Sequence, residues 1–290
     1  MLKCTPVQRV CGEHFRRDGI LLPLGHSREE FKVPNPTLFQ TAEWPIKDDA
    51  DPLDGWPLEE ISNSGCGLAT NDVYGKLYFF IRHLLILFNR RIKRSECHIH
   101  LFCMNAGYLP RELTDLKFDR IEVANISDRA YLGIRNTLAC LGPCLQSLEN
   151  NPHSTLITLF MNAVMESKGS LQAGDKRAYE KEMHQAMAYL DRPARPPTSP
   201  HDAFAMLLLE SAVLFRDTDT AFDKYMAGED FQQIEKDFNV VMKKAHTVIE
   251  KWPMRLKLRP GQKGAKEEFK ALLSSGHTGI ERYVEWRRAV

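Results

Sequence analysis

The chain predicts an α/β fold with a mostly parallel sheet, and three features predict it. A β-branched, apolar run from Phe118 to Ile126 closes on Asn125, Ser127 and Asp128, as strands of such sheets do where they meet a ligand. Helix-periodic and strand-like stretches alternate through the middle of the chain, the order that builds strand–helix–strand units. With 290 residues, 43% of them hydrophobic and 27% charged, the chain can bury a full core as a single domain spanning 1–290.

Residues 1–70 are dense in Pro, Gly and Asp, from Arg17-Asp18-Gly19 through Pro34-Asn35-Pro36 to Trp44-Pro45 and Trp56-Pro57. Irregular backbone is therefore expected there, laid over the domain and anchored by Trp44 and Trp56. A helix should start near Asp72, capped by Thr70 or Asn71, because Val73, Leu77, Phe80, Ile81, Leu84, Phe88 and Ile92 recur at helical spacing. Its outer face carries Lys76, Arg82, Arg90, Arg91 and Lys93. Strands are expected at Ile99 to Met104 and at 118–126, then a helix from about Asp128 to Leu145 and a strand from Thr155 to Val164, which makes 71–170 the sheet core. The segment 175–190 reads as helical. Pro193, Pro196, Pro197 and Pro200 then form a stiff stem. Helices at 202–216, 219–226 and about 229–250 complete a helical cap over 175–275, and the alternation from Ile280 to Trp286 returns a last strand, within 279–290, to the sheet.

Charge and cysteine usage narrow the class. A net charge of +1 predicts no polyanion partner from overall balance, although Arg90-Arg91-Ile92-Lys93-Arg94 and Arg255-Leu256-Lys257-Leu258-Arg259 concentrate positive charge that a phosphate backbone favours. A solvated surface is the simpler account of each run alone. Seven cysteines, an odd number with no CxxC pair, read as reduced thiols. No N-terminal stretch has the layout of a signal peptide, and the longest apolar segment, around Leu84 to Phe88, is too short to span a bilayer. A soluble, cytosolic protein with no membrane partner is the expectation.

Two resemblances add to this reading. Met104-Asn105-Ala106-Gly107-Tyr108-Leu109-Pro110, then Phe118-Asp119-Arg120-Ile121-Glu122, then Leu138 through Gly142-Pro143-Cys144-Leu145 resemble the later half of a class I methyltransferase fold, which implies a Rossmann-like sheet. Asn105 stands where an acidic residue is usual. No Gly-x-Gly-x-Gly loop follows any strand, so the backbone cradle for S-adenosylmethionine is missing and no cofactor is expected. The blocks Arg17 to Pro23, Pro34 to Thr37, Trp44 to Asp48, Asp51 to Trp56, Asn71 to Leu77, Asp119 to Gly133 and Asn151 to Leu156 resemble a large fungal family. Some of its members are arginine-containing cyclodipeptide synthases of secondary-metabolite biosynthesis. The resemblance implies arginyl-tRNA and a second amino acid, or its tRNA, as partners, with RNA contact through Arg82, Arg90, Arg91 and Lys93. An acidic motif tied to activity in those synthases has its nearest match in Asp119-Arg120-Ile121-Glu122, with Phe118 where the first Asp would stand. In a regular strand Asp119 and Glu122 would point to opposite faces, so they share a site only if the strand bulges or ends between them.

That chemistry needs a base for the attacking amine, donors for a tetrahedral oxyanion and a cationic surface for the carrier. Glu122 or Asp128 can serve as base or bind a guanidinium bidentately, Asn125 and Ser127 can supply hydrogen bonds, and Tyr131, one helical turn beyond Asp128, can position an amine or relay a proton. The plainer account has Asp128 or Ser127 capping the helix and Asp119 closing a turn. The acidic loop of Asp48, Asp49, Asp51 and Asp54 matches no calcium loop and reads better as a turn; His98 and His100 lack a third ligand. His153 can be a base near Asn151 or part of a turn. Cys140 and Cys144, one turn apart, suit core packing. No Gly-x-Ser-x-Gly elbow is present, which disfavours an ordinary hydrolase. Two alternatives stay open: a methyltransferase-like enzyme or relic, and a non-catalytic interaction module.

Overall fold

A computed structural model of the chain describes residues 6–33, 51–65, 67, 70–114, 116–167, 176–193, 195–252, 255–274 and 279–289. Trp44, Asp48 and Asp49, part of the expected N-terminal layer, lie outside them. Helix α1 (Pro6–Asp18) forms where irregular backbone is expected, because Val7, Cys11 and Phe15 stand four apart and turn one apolar stripe inward. A short α2 (Leu58–Asn63) precedes α3 (Val73–Arg94), which is capped by Asp72 rather than by Thr70 or Asn71. Among the described residues the remaining α-helices and strands are α4 (Leu109–Glu112), β1 (Arg120–Val123), α5 (Ile134–Leu141), β2 (Thr155–Phe160), α6 (Ala163–Glu166), α7 (Lys176–Met187), α8 (Ala203–Ala212), α9 (Asp219–Ala227), α10 (Phe231–Phe238), β3 (Val240–Met242), α11 (Ala265–Ser274) and β4 (Arg282–Arg288).

Four further elements differ from expectation, each for a local reason. Residues 99–104 have no regular structure; their alternation meets no partner strand among the described residues, and Ile99, Leu101, Phe102 and Met104 are exposed. The helix expected from Asp128 starts only at Ile134, since Gly133 at φ +78° cannot be helical, and the amides of Leu132 and Gly133 both donate to the Ile126 carbonyl in a tight double turn. The strand from Thr155 stops at Phe160, where the chain turns into α6. The helix expected to run to about 250 ends at Phe238; Asn239 adopts the left-handed conformation at φ +55°, and Val240-Val241-Met242 then joins the sheet.

The chain, read from sequence as one α/β domain, divides into two compact units: residues 1–98, 185–211 and 256–277, and residues 99–184, 212–255 and 278–290. Residues 175–275, read as a cap, are shared between them. In the first unit Cys11, Leu53, Ile61, Tyr74 and Leu77 form the core, with Trp56 and Phe80 packed against it. Asp72 is its polar centre. Its carboxylate accepts from the amides of Gly75 (2.8 Å) and Leu24 (2.7 Å) and from the Cys11 thiol, tying α1 and the loop after it to the start of α3. Burial pushes the Cys11 thiol up, and the bond to Asp72 adds to that. Asp51, from the acidic loop, accepts from the Leu53 amide and the Tyr74 hydroxyl, so its role here is that of a turn.

The second unit holds an open four-stranded sheet in the order β1-β2-β4-β3. β1 and β2 are parallel, joined through α5, but β4 runs antiparallel to both β2 and β3. The sheet is therefore mixed, where a mostly parallel one is expected; alternation identifies a strand but carries no sign of its direction. Leu138, Leu145, Leu156, Phe160, Phe222, Val284 and Trp286 fill its core, with Trp286 Nε1 donating to Thr158 Oγ1 at 2.9 Å. No helix among the described residues is long and apolar enough to cross a membrane.

Glu285 sits on β4 with 0% exposure, and its carboxylate accepts from the amides of Thr247 (2.8 Å), Val248 (2.7 Å) and Ile249 (2.9 Å) and from Lys243 Nζ (3.2 Å). Burial opposes its ionisation, but the amides of Thr247, Ile249 and Val248 and the Lys243 ammonium outweigh burial and hold the carboxyl at about 2 against an ordinary 4.5. A depressed acid stabilises the fold above its ordinary value, and this contribution, on the order of 3 kcal/mol, is lost as pH falls from 4.5 toward 2. Glu285→Gln should thus be about 3 kcal/mol less stable at neutral pH by urea unfolding. The gap to the native chain should narrow on acidification; a constant gap would refute this account.

Candidate functional site

The carboxyl ends of β1 and β2, the parallel pair, are held together by two carboxylates acting in opposite directions. After β1 the chain turns through Asn125, which takes a left-handed φ of +52°, and delivers Asp128 beneath the turn after β2. Asp128 Oδ2 accepts from the amides of Met161 (3.0 Å) and Asn162 (3.1 Å) and from Asn162 Nδ2 (3.4 Å). Glu166, on α6, reaches back: its two carboxylate oxygens accept from the amides of Arg129 (3.0 Å) and Ala130 (3.1 Å). Each loop satisfies the other's free amides.

Helix α9 closes the far side of this clasp. Tyr225 packs its ring against Phe160 and Phe222 and lies under the Arg129 guanidinium, 4.1 Å from the ring centre. Arg129 is fixed in turn by Glu229 (2.7 Å) and the Tyr225 carbonyl (3.1 Å). Four polar atoms in this neighbourhood are buried without a hydrogen-bond partner: Asn125 Oδ1, Ser127 Oγ, Asp128 Oδ1 and Tyr225 Oη. Burial pushes the Asp128 carboxyl up against the pull of the Met161 and Asn162 amides, and Glu166 adds to the rise. Burial likewise pushes the Tyr225 hydroxyl up, with Glu166 and Asp128 adding to it and Arg129 opposing. Native interiors rarely leave such groups unpaired, and a strained or functional site is a recurring reason. Chemically, the cluster can hold or pass a proton at Asp128 and present oxygens to a group that carries positive charge.

The expected site residues fall into three places. Asn125, Ser127 and Asp128 are brought together here. Tyr131 stands beside them by backbone, its amide donating to the Asp128 carbonyl at 3.0 Å, but its ring is exposed; the helical spacing expected between the two is replaced by a turn. Glu122 is exposed on the outward face of β1, where its charge, after burial, raises the Tyr283 hydroxyl. Asp119 lies at the opposite, amino-terminal end of β1, accepting from Asn151 Nδ2 at 2.7 Å. The ladder from Arg120 to Val123 has regular register without a bulge, so Asp119 and Glu122 are not one acidic pair. His153 closes a turn through its amide to Asn151 Oδ1 at 2.8 Å, and His98 and His100 are exposed on the irregular segment. Tyr225, Glu166 and Arg129 complete the site without having been singled out in sequence. Tyr225 is three residues from Phe222, which signals only a buried helix face.

The two buried groups should respond differently to removal. Asp128→Ala strips three donors of their acceptor and should cost about 2–4 kcal/mol. Tyr225→Phe deletes only a hydroxyl that has no partner, and should change stability by less than about 1 kcal/mol. Urea unfolding of both variants checks the contrast; equal losses would show that the Tyr225 hydroxyl is structurally engaged.

Comparison of the chain with family models, with curated proteins and with solved structures returns no match.

Proposed function

We propose that the chain is a synthase of arginine-containing cyclic dipeptides that takes arginine from arginyl-tRNA, and that its sheet is a Rossmann-like, methyltransferase-like one. The parallel β1–α5–β2 unit supports the second statement. What carries the first is the group of ionisable and hydrogen-bonding side chains gathered at the carboxyl ends of that pair, with Asp128 at its centre. The sequence blocks that resemble the fungal synthases agree with it.

The reaction asks for limited chemistry. An α-amine attacks the ester carbon of an aminoacyl-tRNA, a C–N bond forms, the C–O bond to the ribose breaks, and the amine's proton is passed to the departing ribose oxygen. The ring closes when the remaining α-amine attacks the second residue's own tRNA ester: a second C–N bond forms, that C–O bond breaks, and the amine's proton passes to the second departing ribose oxygen. In this reading Glu122, exposed at the sheet edge, takes the proton, while Asp128 and Tyr131 shape the adjoining turn, and Asn125 faces the same end. Asp119 braces the other end of β1 through Asn151.

Helix α3 suits the nucleic-acid carrier. It contains no acidic residue, and among the described residues Arg82, Arg90, Arg91 and Lys93 have no carboxylate partner. Arg82, Arg90 and Lys93 line an open groove of about 610 Å³ floored by Tyr78, Ile81 and Leu85. A groove of cations with an aromatic ring is the arrangement that follows a phosphate backbone and stacks a base.

The test is expression in a heterologous host fed isotopically labelled arginine, with mass spectrometry of the extract for labelled cyclic dipeptides. Labelled product should appear against an empty-vector control. Glu122→Gln should leave the unfolding midpoint unchanged and lower product by about a hundredfold. Paired reversal, Arg90→Glu with Lys93→Glu, should weaken tRNA binding by about tenfold or more and flatten its salt dependence. Absence of product from folded protein would overturn the synthase reading, and calorimetric binding of S-adenosylmethionine would then favour the methyltransferase-like one.

A further inference from the structure

The orphaned oxygens at the strand ends stand in contrast to the two fully buried charges of β4. Arg282 and Glu285 are both fully buried, and each is surrounded by partners. Asp128 is equally buried, yet one carboxylate oxygen has none, and among the described residues no Lys, Arg or His forms an ion pair with it. The nearest cation in sequence, Arg129, has its guanidinium turned to Glu229 and the face of Tyr225. The charges around the cluster are therefore Asp128 and Glu166, with Arg129 already balanced by Glu229. Asp128 Oδ1 is thus a buried carboxylate oxygen without a donor, and Asn125 Oδ1, Ser127 Oγ and Tyr225 Oη, from the same turn and the helix packed on it, are likewise buried without partners.

We propose that Asn125 Oδ1, Ser127 Oγ, Asp128 Oδ1 and Tyr225 Oη bind a small monovalent cationic group, either an alkali-metal ion or a protonated amine. All four atoms accept, the two hydroxyls can turn their protons outward, and the single free carboxylate oxygen balances one positive charge. A divalent ion fits less well. Calcium takes six to eight oxygens, commonly with several carboxylates, and no group of three His, Cys, Asp or Glu side chains among the described residues could hold a metal ion. Neutral oxygens around one carboxylate suit a weakly hydrated +1 charge. The left-handed turn at Asn125, the sharp step into Asp128 and the clasp to α6 hold three of the four atoms on rigid backbone. Such a cation would lock the carboxyl ends of β1 and β2 together whatever reaction the protein carries out, so the inference does not rest on the synthase reading.

The experiment is thermal unfolding of the full chain in sodium, potassium, methylammonium or choline chloride at matched ionic strength. A ligand that binds only the folded state raises the midpoint in proportion to its occupancy. The site predicts a saturable rise with at least one small cation and none with choline, which is too large to enter. Alkali ions acting alone identify a metal site, and methylammonium acting alone identifies an amine site. Ser127→Ala and Tyr225→Phe, each removing one oxygen and keeping the fold, should raise the half-saturating concentration by about threefold or more. Identical midpoints in all four salts would overturn the proposal. So would a cation-specific rise that both variants leave unchanged, since the ion would then be held elsewhere.

Discussion

Strand β4 carries a buried cation and a buried anion three residues apart, and the second unit is organised around their need for partners. In a regular strand residues at that spacing project to opposite faces, so each charge ties down a different segment. Arg282 Nη2 donates to Thr218 Oγ1 at 2.5 Å, Nη1 donates to the carbonyls of Gly279 and Glu281, and the guanidinium lies over Trp252. Glu285 collects the amides of residues 247–249 and the Lys243 ammonium. Neither ion could be left alone at that depth, because stripping one buried charge of its partners costs several kcal/mol. The irregular chain from Lys243 to Trp252, which has little secondary structure of its own, is thereby given a fixed course. β2 and β3 occupy the two edges of β4, so these segments are held from its faces by side chains.

The clasp at the other end of the sheet uses the same physics with a different outcome. Asp128 and Glu166 satisfy backbone amides across two loops, as Glu285 does, but Asp128 retains an oxygen with no donor, and Asn125, Ser127 and Tyr225 retain one polar atom each. A chain able to saturate Arg282 and Glu285 has the means to saturate Asp128 as well. Saturation stabilises the fold, while an unsaturated group keeps an interaction in reserve, and four such atoms close together in the fold are what mark this turn as a candidate site. The polar residues that end strand 118–126 were legible as candidates in the sequence for this reason, since a packed scaffold has no use for them there.

How much of the rest was legible depends on whether the signal was local. Helix α3, strands β1, β2 and β4, and the helical segments 176–187 and 203–212 follow from periodicity, which a single stretch of chain carries within itself. What could not be read was whatever needs a partner. Ile99 to Met104 has the pattern of a strand but no neighbour among the described residues, and Val240-Val241-Met242 was hidden inside a helical pattern until Asn239 broke it. The direction of β4 was equally silent. Tyr225, Glu166 and Arg129 reach the strand ends from 36 to 100 positions away in sequence from the residues they touch, or through a ring that reads only as core. Asp72 is an intermediate case: its capping role is local, but its bond to the Leu24 amide spans 48 positions.

The separation of Asp119 from Glu122 bears on how any chemistry here can be arranged. Had they formed one acidic pair, mutual repulsion would have pushed one of them toward the neutral acid, the usual device for setting a base against an acid. They stand instead at the two ends of β1, with Asp119 engaged by Asn151 and Glu122 exposed on the outward face. In the turn after β1 the Asp128 carboxyl is pushed up, first by burial and only secondarily by the Glu166 charge. The fold thus leaves one carboxylate, Glu122, exposed on β1 and buries the other, Asp128, in the turn that follows it. Depth along one strand and the turn after it, rather than repulsion within one acidic pair, is what sets the two carboxylates apart.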